Sequence, residues 1–454
     1  MSEMSVSEPL GVRSQGRPLR SRSSRRWSGV RRWLSVRRGR FGLAGLLAGG
    51  LLIAVSAGRT DWLLPASVRP VPGSLAGVFG HRGIDIELGG LIAVFGLMFV
   101  SYAVAIQAAD LLSPRAVLAA VAGLNAIVLL APPLLSTDIF SYVAYGRLGA
   151  LYGANPYLHG PSAIALDPSY PYVAARWVTT PTAYGPLFTA VSYLLAPLGV
   201  AWNVLAYKAI AVISSLVIVA VVWHAARARR LNPVRAAAVV GLNPVIVIYG
   251  VGGGHNDLLM VAILLTGVYV LLRQRERTSG ALIVAATAVK LSAGLLLPFV
   301  FAHSARGQGG RSPRAVLTGV GVAAAIAGVL SFVVFGSGPL RLMTTLENIQ
   351  KGGGLNSISG LLLTAVGLGH LTGTIGPVLD AGFGICLVWL VRRVCKGELD
   401  WITGAGWATV ALLITAGLLL PWYVAWLVPL AALSTDRRLL VTAVVMTGLG
   451  LTTL

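Results

Sequence analysis

The sequence predicts an all-α protein, a polytopic bundle of transmembrane helices. Three observations support this class: 56% of the 454 residues are hydrophobic, only 11% are charged, and apolar runs of membrane-spanning length recur along the chain. Soluble globular chains carry a much larger share of charged residues. The runs cover residues 41–57, 88–109, 115–135, 203–223, 235–250, 257–272, 315–336, 375–391, 402–420 and 439–454.

The first forty residues form a basic arm with eleven arginines and two glutamates. The net charge of the whole chain is +21, but the other basic residues follow the loops between apolar runs. No small-residue cleavage pattern follows the arm, so we expect a disordered cytoplasmic segment and not a secretory signal. Its predicted partner is the anionic headgroup layer of a bilayer, not nucleic acid. Residues 41–454 are predicted to form one integral-membrane domain.

Arginine and lysine positions orient the predicted helices, because basic loops prefer the cytoplasm. With the N-terminus in the cytoplasm, residues 136–185 become the longest extracytoplasmic loop of a multi-pass plasma-membrane protein. The basic loops that then face the cytoplasm lie at 227–235, 273–277, 303–314, 392–396 and 436–438.

The apolar run 280–302 contains Lys290 and has a basic loop on each side. Because both ends favour the cytoplasm, this run is predicted to form a re-entrant hairpin with Lys290 at its apex. A single span with a snorkelling lysine is the alternative. Half-helices or outer-face hairpins are predicted at 187–200 and 357–371, and 424–434 is also short for a span, which gives about ten to thirteen spans in total.

The stretch STDIFSY opens the long outer loop and places a carboxylate, Asp138, at the exit of an apolar run. Residues 138–152 are predicted to form an interfacial helix with Asp138, Tyr142 and Tyr145 on one face, because these residues are four and three apart. Asp138 is either the N-cap of this helix or a base that accepts a proton from a hydroxyl.

The segment GVGGGHND, residues 250–257, delivers His255, Asn256 and Asp257 to the same predicted boundary. Its glycines allow either close approach to a phosphate or sugar, or simply a tight turn between two helices.

Two later segments reach the outer boundary as well. Trp422 and Tyr423 of LLPWYVAW are either substrate contacts or aromatic membrane anchors. Residues 341–359 are predicted to be a solvated loop.

Several motifs are absent from the sequence, among them the phosphate-binding GxxxxGK[ST] and the zinc-binding HExxH. Nucleotide hydrolysis and zinc peptidase chemistry therefore have no support. A transporter or lipid flippase is the alternative class, because it also needs many helices and a few intramembrane charges. Many transporters consist of two similar halves, and no such repeat is visible here.

Six segments carry a family resemblance: STDIFSYVAYGRL, GANPY, TAYGPL, GGGHNDLLM, AVKLSAGLLLP and LLPWYVAWLVPLAAL. Together, over roughly residues 90–435, they resemble the polyprenol-phosphate-mannose-dependent α-(1,6)-mannosyltransferases of actinobacterial envelope synthesis. That family belongs to the integral-membrane glycosyltransferases of GT-C type, so the resemblance implies a GT-C-like helical domain.

The resemblance implies an inverting enzyme that moves mannose from polyprenyl phosphomannose to a mannan or lipoglycan acceptor on the extracytoplasmic face. Asp138 falls on the first-loop aspartate of the family, which implies that it is the general base. Many GT-C relatives carry a second acid in this loop, whereas here the neighbour is Thr137. No cofactor is therefore predicted, and a requirement for a divalent metal stays open.

The remaining site residues are assigned by the chemistry that the transfer needs. A departing lipid phosphate needs positive charge, for which Lys290 and Arg147 are the candidates, and the sugar needs hydrogen-bonding and aromatic groups. The predicted substrate-binding residues are Tyr142, Arg147, Asn155, Tyr157, Tyr184, His255, Asn256, Asp257, Lys290, Trp422 and Tyr423.

Overall fold

The protein is described by a computed structural model that covers residues 22–307, 312–352, 357–367, 369–371 and 374–453. Over these ranges the chain is helical and contains no strand, which confirms the predicted all-α class. The helices are α1 (Arg22–Ser56), α2 (Glu87–Ala108), α3 (Pro114–Leu129), α4 (Asp138–Ala150), α5 (Pro186–Leu195), α6 (Val200–Ala228), α7 (Pro233–Gly241), α8 (Asp257–Leu272), α9 (Glu276–Val289), α10 (Leu297–Ala305), α11 (Pro313–Phe335), α12 (Leu342–Gly352), α13 (Ile358–Ala365), α14 (Gly376–Lys396), α15 (Trp401–Thr415), α16 (Val424–Leu433) and α17 (Arg437–Leu451).

Helix α1 begins at Arg22, inside the arm that was expected to be disordered up to residue 40. Arginine is a good helix former, and no proline interrupts the sequence between Arg22 and Ser56. The helix of the first apolar run therefore extends back through the basic segment, and the prediction of disorder is wrong for residues 22–40. The rest of the arm, residues 1–21, lies outside the described residues.

Four described helices are long and apolar enough to cross a membrane: Leu34–Ser56, Glu87–Leu111, Val200–Ala228 and Pro313–Phe335. Shorter apolar helices of 10–17 residues accompany them. Prolines explain part of the shortening, since the apolar run 235–250 breaks after α7 at Asn243 and Pro244 and resumes as the π-helix Ile246–Val251. The pattern is that of a polytopic helical membrane protein.

The three short apolar pieces that were expected not to span the membrane as single helices form short helices. They are α5, α13 and α16, of 10, 8 and 10 residues, and α16 has Pro429 in its interior. At a rise of about 1.5 Å per residue, none of them reaches across a hydrocarbon core of about 30 Å.

The chain reverses direction around Lys290, as the hairpin interpretation predicts. Lys290 is in an extended conformation between α9 and a 3₁₀ segment that leads into α10. A Cβ on Gly280 would lie 2.6 Å from the Val316 carbonyl oxygen, and one on Gly319 would lie 1.9 Å from that of Arg277. The starts of α9 and α11 are thus side by side. The chain between them therefore runs away from this end of the bundle, reverses, and comes back to the same end.

Helix α4 matches the helix that was predicted for residues 138–152. Most of its side chains are buried, because α4 packs against α5 and α6 instead of lying on an open surface. Gly146 makes the closest approach, where a Cβ would lie 2.2 Å from the Ser192 carbonyl oxygen of α5. This packing fixes the position of Asp138 at the start of α4.

Candidate active site

Asp138 is the first residue of α4, and its carboxylate does not cap the helix. The N-cap position is Thr137, where no side chain accepts a capping hydrogen bond. The Asp138 side chain is 15% exposed and lines a cavity of about 90 Å³. The geometry decides against the N-cap alternative and leaves the carboxylate available to a ligand.

The three glycines at 252–254 let the chain turn closely past α4. Gly254 has a φ of +64°, and a Cβ there would lie 2.6 Å from Ile139 Cδ1, so both the backbone conformation and the space require glycine. The segment is therefore a tight interhelical turn, as the simpler of the two interpretations held. It delivers three buried polar residues to the Asp138 side of the site: His255, Asn256 and Asp257.

The imidazole of His255 lies between Asp138 and Tyr142. Its Nδ1 is 3.7 Å from Asp138 Oδ2 and 3.5 Å from Tyr142 Oη, and the Tyr142 hydroxyl also donates to Asn256 Oδ1 at 3.4 Å. Burial, reinforced by the charge of Lys290, holds the pKa of His255 well below its usual value, so the ring is neutral. These separations are long for hydrogen bonds, so in the described chain no side chain bonds closely to the Asp138 carboxylate.

The second carboxylate of the site, Asp257, is paired with Lys290. The Lys290 ammonium lies 2.8 Å from Asp257 Oδ1, and the Trp426 indole donates to the same oxygen at 2.7 Å. The ammonium also lies 4.7 Å from the ring centroid of Tyr423 and 5.3 Å from that of Trp426. Lys290 is therefore held by one carboxylate and two aromatic rings.

Trp422 and Tyr423 belong to this cluster, which favours the site over the membrane-anchor alternative. The Trp422 ring stacks on His255 with centroids 3.7 Å apart and planes 20° from parallel. Tyr423 stacks on Trp426 at 4.2 Å. The segment at 421–426 thus forms an aromatic wall behind both His255 and Lys290.

The protonation of Asp138 differs from that of an exposed aspartate. Burial raises the pKa of Asp138 to about 6, although the nearby Lys290 ammonium acts in the opposite direction. The charge of Asp257 adds to the upward shift. The carboxylate is therefore ionised at neutral pH but is a stronger base than an ordinary aspartate.

Arg147 lies away from this cluster, so the expectation that it binds the phosphate is wrong. Its guanidinium pairs with Asp167 at 2.9 Å and donates to the carbonyl oxygens of Ala196 and Leu198. Nine residues separate Arg147 from Asp138, which on an α-helix puts them on opposite faces. Its role is to join α4 to the loop at Asp167 and to the end of α5.

Asn155 and Tyr157 also make structural bonds. The Asn155 amide donates to the Phe335 carbonyl, and the Tyr157 hydroxyl donates to the Tyr184 carbonyl at 3.0 Å. They tie the segment that follows α4 to the end of α11 and to the start of α5. Tyr157 still lines the large cleft described below, and Tyr184 lines the Asp138 cavity, where its ring packs edge-on against Tyr142 at 4.8 Å.

Four residues that sequence reasoning missed surround the site: Arg176, Trp177, Arg341 and Trp426. Arg176 and Trp177 line the Asp138 cavity and, together with Arg341, an adjoining cleft of about 770 Å³. Residues 342–352, predicted to be part of a solvated loop, form α12, and one face of this helix covers both spaces. The available signal for this helix was the spacing of apolar residues in LMTTLENIQKG, since Leu342, Leu346 and Ile349 are four and three apart.

The cavity combines one available carboxylate with aromatic rings and neutral hydrogen-bonding groups. A carboxylate of raised pKa can accept a proton from a hydroxyl, and aromatic faces with amide and hydroxyl groups suit a sugar. In the parts of the chain that the structure covers, no group of three His, Cys, Asp or Glu residues is placed to hold a metal ion.

Two family models match the chain. One is described as the N-terminal domain of α-(1→6)-mannopyranosyltransferase and matches residues 42–306, which include Asp138, the 252–257 turn and Lys290. The other is described as the MptB C-terminal domain and matches residues 353–452, which include Trp422 and Trp426. No solved structure matches the chain.

Curated relatives agree with the family models. The chain is 28% identical to α-(1→6)-mannopyranosyltransferase B of Corynebacterium glutamicum, over 67% of this chain and 56% of the relative. It is 30% identical to α-(1→6)-mannopyranosyltransferase A of Mycobacterium tuberculosis, over 70% of this chain and 64% of the relative. The matches thus span less than two thirds of either relative's length. The first family model matches more than half of the residues of this chain. The chain therefore belongs to the α-(1→6)-mannopyranosyltransferase family.

Proposed function

We propose that the protein is a mannosyltransferase that moves mannose from polyprenyl phosphomannose to a mannan or lipoglycan acceptor and forms α-(1→6) linkages. The observation that carries this proposal is the Asp138 carboxylate, which lines a cavity without a close bonding partner among the described residues. Membership of the family and the activity for which its relatives are named support the sugar and the linkage.

The proposed reaction is a single displacement with inversion at the anomeric carbon. A hydroxyl oxygen of the acceptor forms a bond to this carbon as the bond from the carbon to the phosphate oxygen breaks. Asp138 takes the hydroxyl proton, and the polyprenyl phosphate leaves with the electron pair of the broken bond. A positioned base of this kind contributes about a hundredfold to ten-thousandfold to a rate.

The other residues of the site have supporting roles in this proposal. Tyr142, His255 and Asn256 form a neutral hydrogen-bonding group beside Asp138, which suits sugar hydroxyls. Asp257 and Trp426 hold Lys290, so its ammonium faces the cavity with its charge already balanced. Lys290 thereby stabilises the ionised base from nearby without forming an ion pair with it.

We further propose that the reaction takes place on the extracytoplasmic face of the plasma membrane, with the N-terminus in the cytoplasm. The distribution of basic residues supports this orientation, and so does the reversal of the chain at Lys290. The polar residues of the site then lie at the outer ends of α8 and α9, next to the acceptor side of the membrane.

The test is sugar transfer in membranes that contain matched amounts of wild type, Asp138→Asn or Asp61→Asn. The substrates are radiolabelled polyprenyl phosphomannose and a short α-mannoside, and the product linkage is determined by exomannosidase digestion. We expect transfer by wild type and by Asp61→Asn, an exposed aspartate outside the site, and almost none by Asp138→Asn. Equal transfer by Asp138→Asn would remove the base from the mechanism, and no transfer by wild type would refute the donor.

A further inference from the structure

The cations that were expected to bind a phosphate are already paired in the structure. Arg147 is bound to Asp167, and Lys290 is bound to Asp257. A guanidinium or ammonium that is neutralised in this way is a weak ligand for a second anion. The phosphate of a lipid-linked sugar therefore needs another source of positive charge close to Asp138.

Two arginines near the cavity supply that charge. Arg176 and Arg341 line the cleft of about 770 Å³ that adjoins the Asp138 cavity, and we call this space the arginine cleft. Neither forms an ion pair with a carboxylate within the described ranges, and none of the residues that line the cleft is acidic. The charge of Arg176 also reaches Asp138, whose pKa it helps to lower against the dominant effect of burial.

The arginine cleft is continuous with the Asp138 cavity. The two spaces share lining residues from the outer loop, from α12 and from the segment that follows α15: Arg176, Trp177, Thr180, Pro181, Ile349 and Leu418. Among them, the Trp177 indole N–H is buried and has no hydrogen-bond partner in the described parts of the chain. This N–H can therefore donate to a ligand that occupies the cleft.

An apolar groove begins beside the arginine cleft. It lies between α5, α9 and α11 and has a volume of about 320 Å³, and among the described residues that line it only Ser331 is polar. Phe335 lines one end of the groove and packs edge-on against Tyr157, which lines the arginine cleft, with centroids 5.3 Å apart.

The groove follows α11 from Ala323 to Phe335, about 18 Å at a rise of 1.5 Å per residue. Helix α11 is one of the four helices long enough to span a membrane, and most of its surface is exposed. Arg341 follows shortly after the end of α11. The arginine cleft thus adjoins one end of the apolar groove, which follows a helix long enough to span a membrane.

We propose that the arginine cleft binds the phosphate of a polyprenyl phosphate, and that the apolar groove binds its first isoprene units. The inference rests on the proposed function, because it names where the lipid carrier of that reaction lies. Negative charge builds up on the phosphate as its bond to the sugar breaks. Two guanidinium groups stabilise that charge, and each can bind phosphate through two parallel hydrogen bonds.

The test measures binding separately from transfer. Purified protein in nanodiscs is titrated with radiolabelled polyprenyl monophosphate, which carries no sugar, for wild type, Arg176→Gln, Arg341→Gln and the double variant. Arg82→Gln is the matched control, since Arg82 is an exposed arginine outside the cleft. We expect each single variant to weaken binding about tenfold, the double variant about a hundredfold, and the control not at all.

Two further arms separate the possible sources of the anion. Inorganic phosphate and phosphatidylglycerol compete with the radiolabelled ligand only weakly if the site is built for a polyprenyl chain. Ala327→Phe fills the groove and should weaken the binding of polyprenyl phosphate but not of inorganic phosphate. Equal competition by phosphatidylglycerol would overturn the proposed occupant of the groove.

The result also distinguishes this inference from the proposed function. If wild type transfers mannose but the arginine variants bind polyprenyl phosphate as tightly as wild type does, the phosphate site is refuted and the function stands. If wild type binds no polyprenyl phosphate and transfers no mannose, both are refuted. Both arginines are exposed, so loss of binding at an unchanged unfolding midpoint reports the site and not the fold.

Discussion

Two aspartates of the segment 136–185, Asp138 and Asp167, show opposite ways of burying a carboxylate. Asp167 accepts hydrogen bonds from Arg147, Ser169 and Tyr152, and although burial alone would raise its pKa, these bonds lower it to about 2. Among the described residues nothing donates such a bond to the Asp138 carboxylate, and burial raises its pKa to about 6. The bonded aspartate stabilises the fold, and the unbonded one is available for chemistry.

The largest effect that we expect from this contrast is on the rate of transfer. Asp138→Asn should lower kcat about a thousandfold, because asparagine cannot accept the proton. The unfolding midpoint in detergent should stay the same or rise, since the change removes a buried charge that lacks a close partner. A stability loss as large as the activity loss would show that Asp138 is a structural residue like Asp167.

The second prediction concerns the bonded pair. Arg147→Ala should lower the free energy of unfolding by about 3 kcal/mol, because it leaves the Asp167 charge buried and unpaired. The measurement is thermal unfolding in detergent, with Arg82→Ala as a control at an exposed arginine. The protein that remains folded should keep its transfer activity. A selective loss of kcat at unchanged stability would show instead that Arg147 acts in the active site.

The third prediction is a pH profile. A base must be ionised, and the pKa of Asp138 is raised to about 6, so transfer should be full above this value and fall as the pH drops through it. Between pH 7 and pH 5 the rate should fall about tenfold, whereas an ordinary aspartate of pKa about 3.9 would change the rate little over that range. A flat profile down to pH 5 would contradict the raised pKa.

The smallest effect that we expect is at the aromatic wall. Trp422→Phe keeps a ring that can stack on His255 and should change the rate less than about threefold, while Trp422→Leu should lower it about fivefold because a stacked pair is worth about 1 kcal/mol. Steady-state kinetics on both variants measures the difference. Equal rates for the two variants would show that stacking does not position His255.

The sequence predicted those parts of the site that depend on local spacing or on charge balance. The face that joins Asp138 and Tyr142 follows from helical periodicity, and the reversal at Lys290 follows from the basic loops on both sides. The same periodicity, applied to Arg147, would have excluded it, since nine residues along a helix lead to the opposite face. The prediction that Arg147 binds the phosphate was wrong because it rested on the charge of the side chain and not on its position around α4.

Other features depend on tertiary contacts that no local pattern encodes. Trp426 reaches Asp257 from 169 residues away, and Arg341 and Arg176 meet at one cleft although they lie on separate segments. The prediction that the whole basic arm is disordered was wrong for a different reason. Its arginine-rich composition is typical of a disordered tail, but the helix of the adjoining apolar run extends back to Arg22. Family resemblance supplied the sugar and the linkage, which no geometry here identifies.

The pairing of Asp257 with Lys290 also bears on how the chain is made. The two residues lie at the same end of α8 and α9, which follow each other in sequence with a short connection. Synthesis runs from the N-terminus, so Asp257 has already emerged from the ribosome when Lys290 follows. We therefore expect the lysine to meet this carboxylate as α9 packs on α8, so that a neutral pair is buried and not two separate charges.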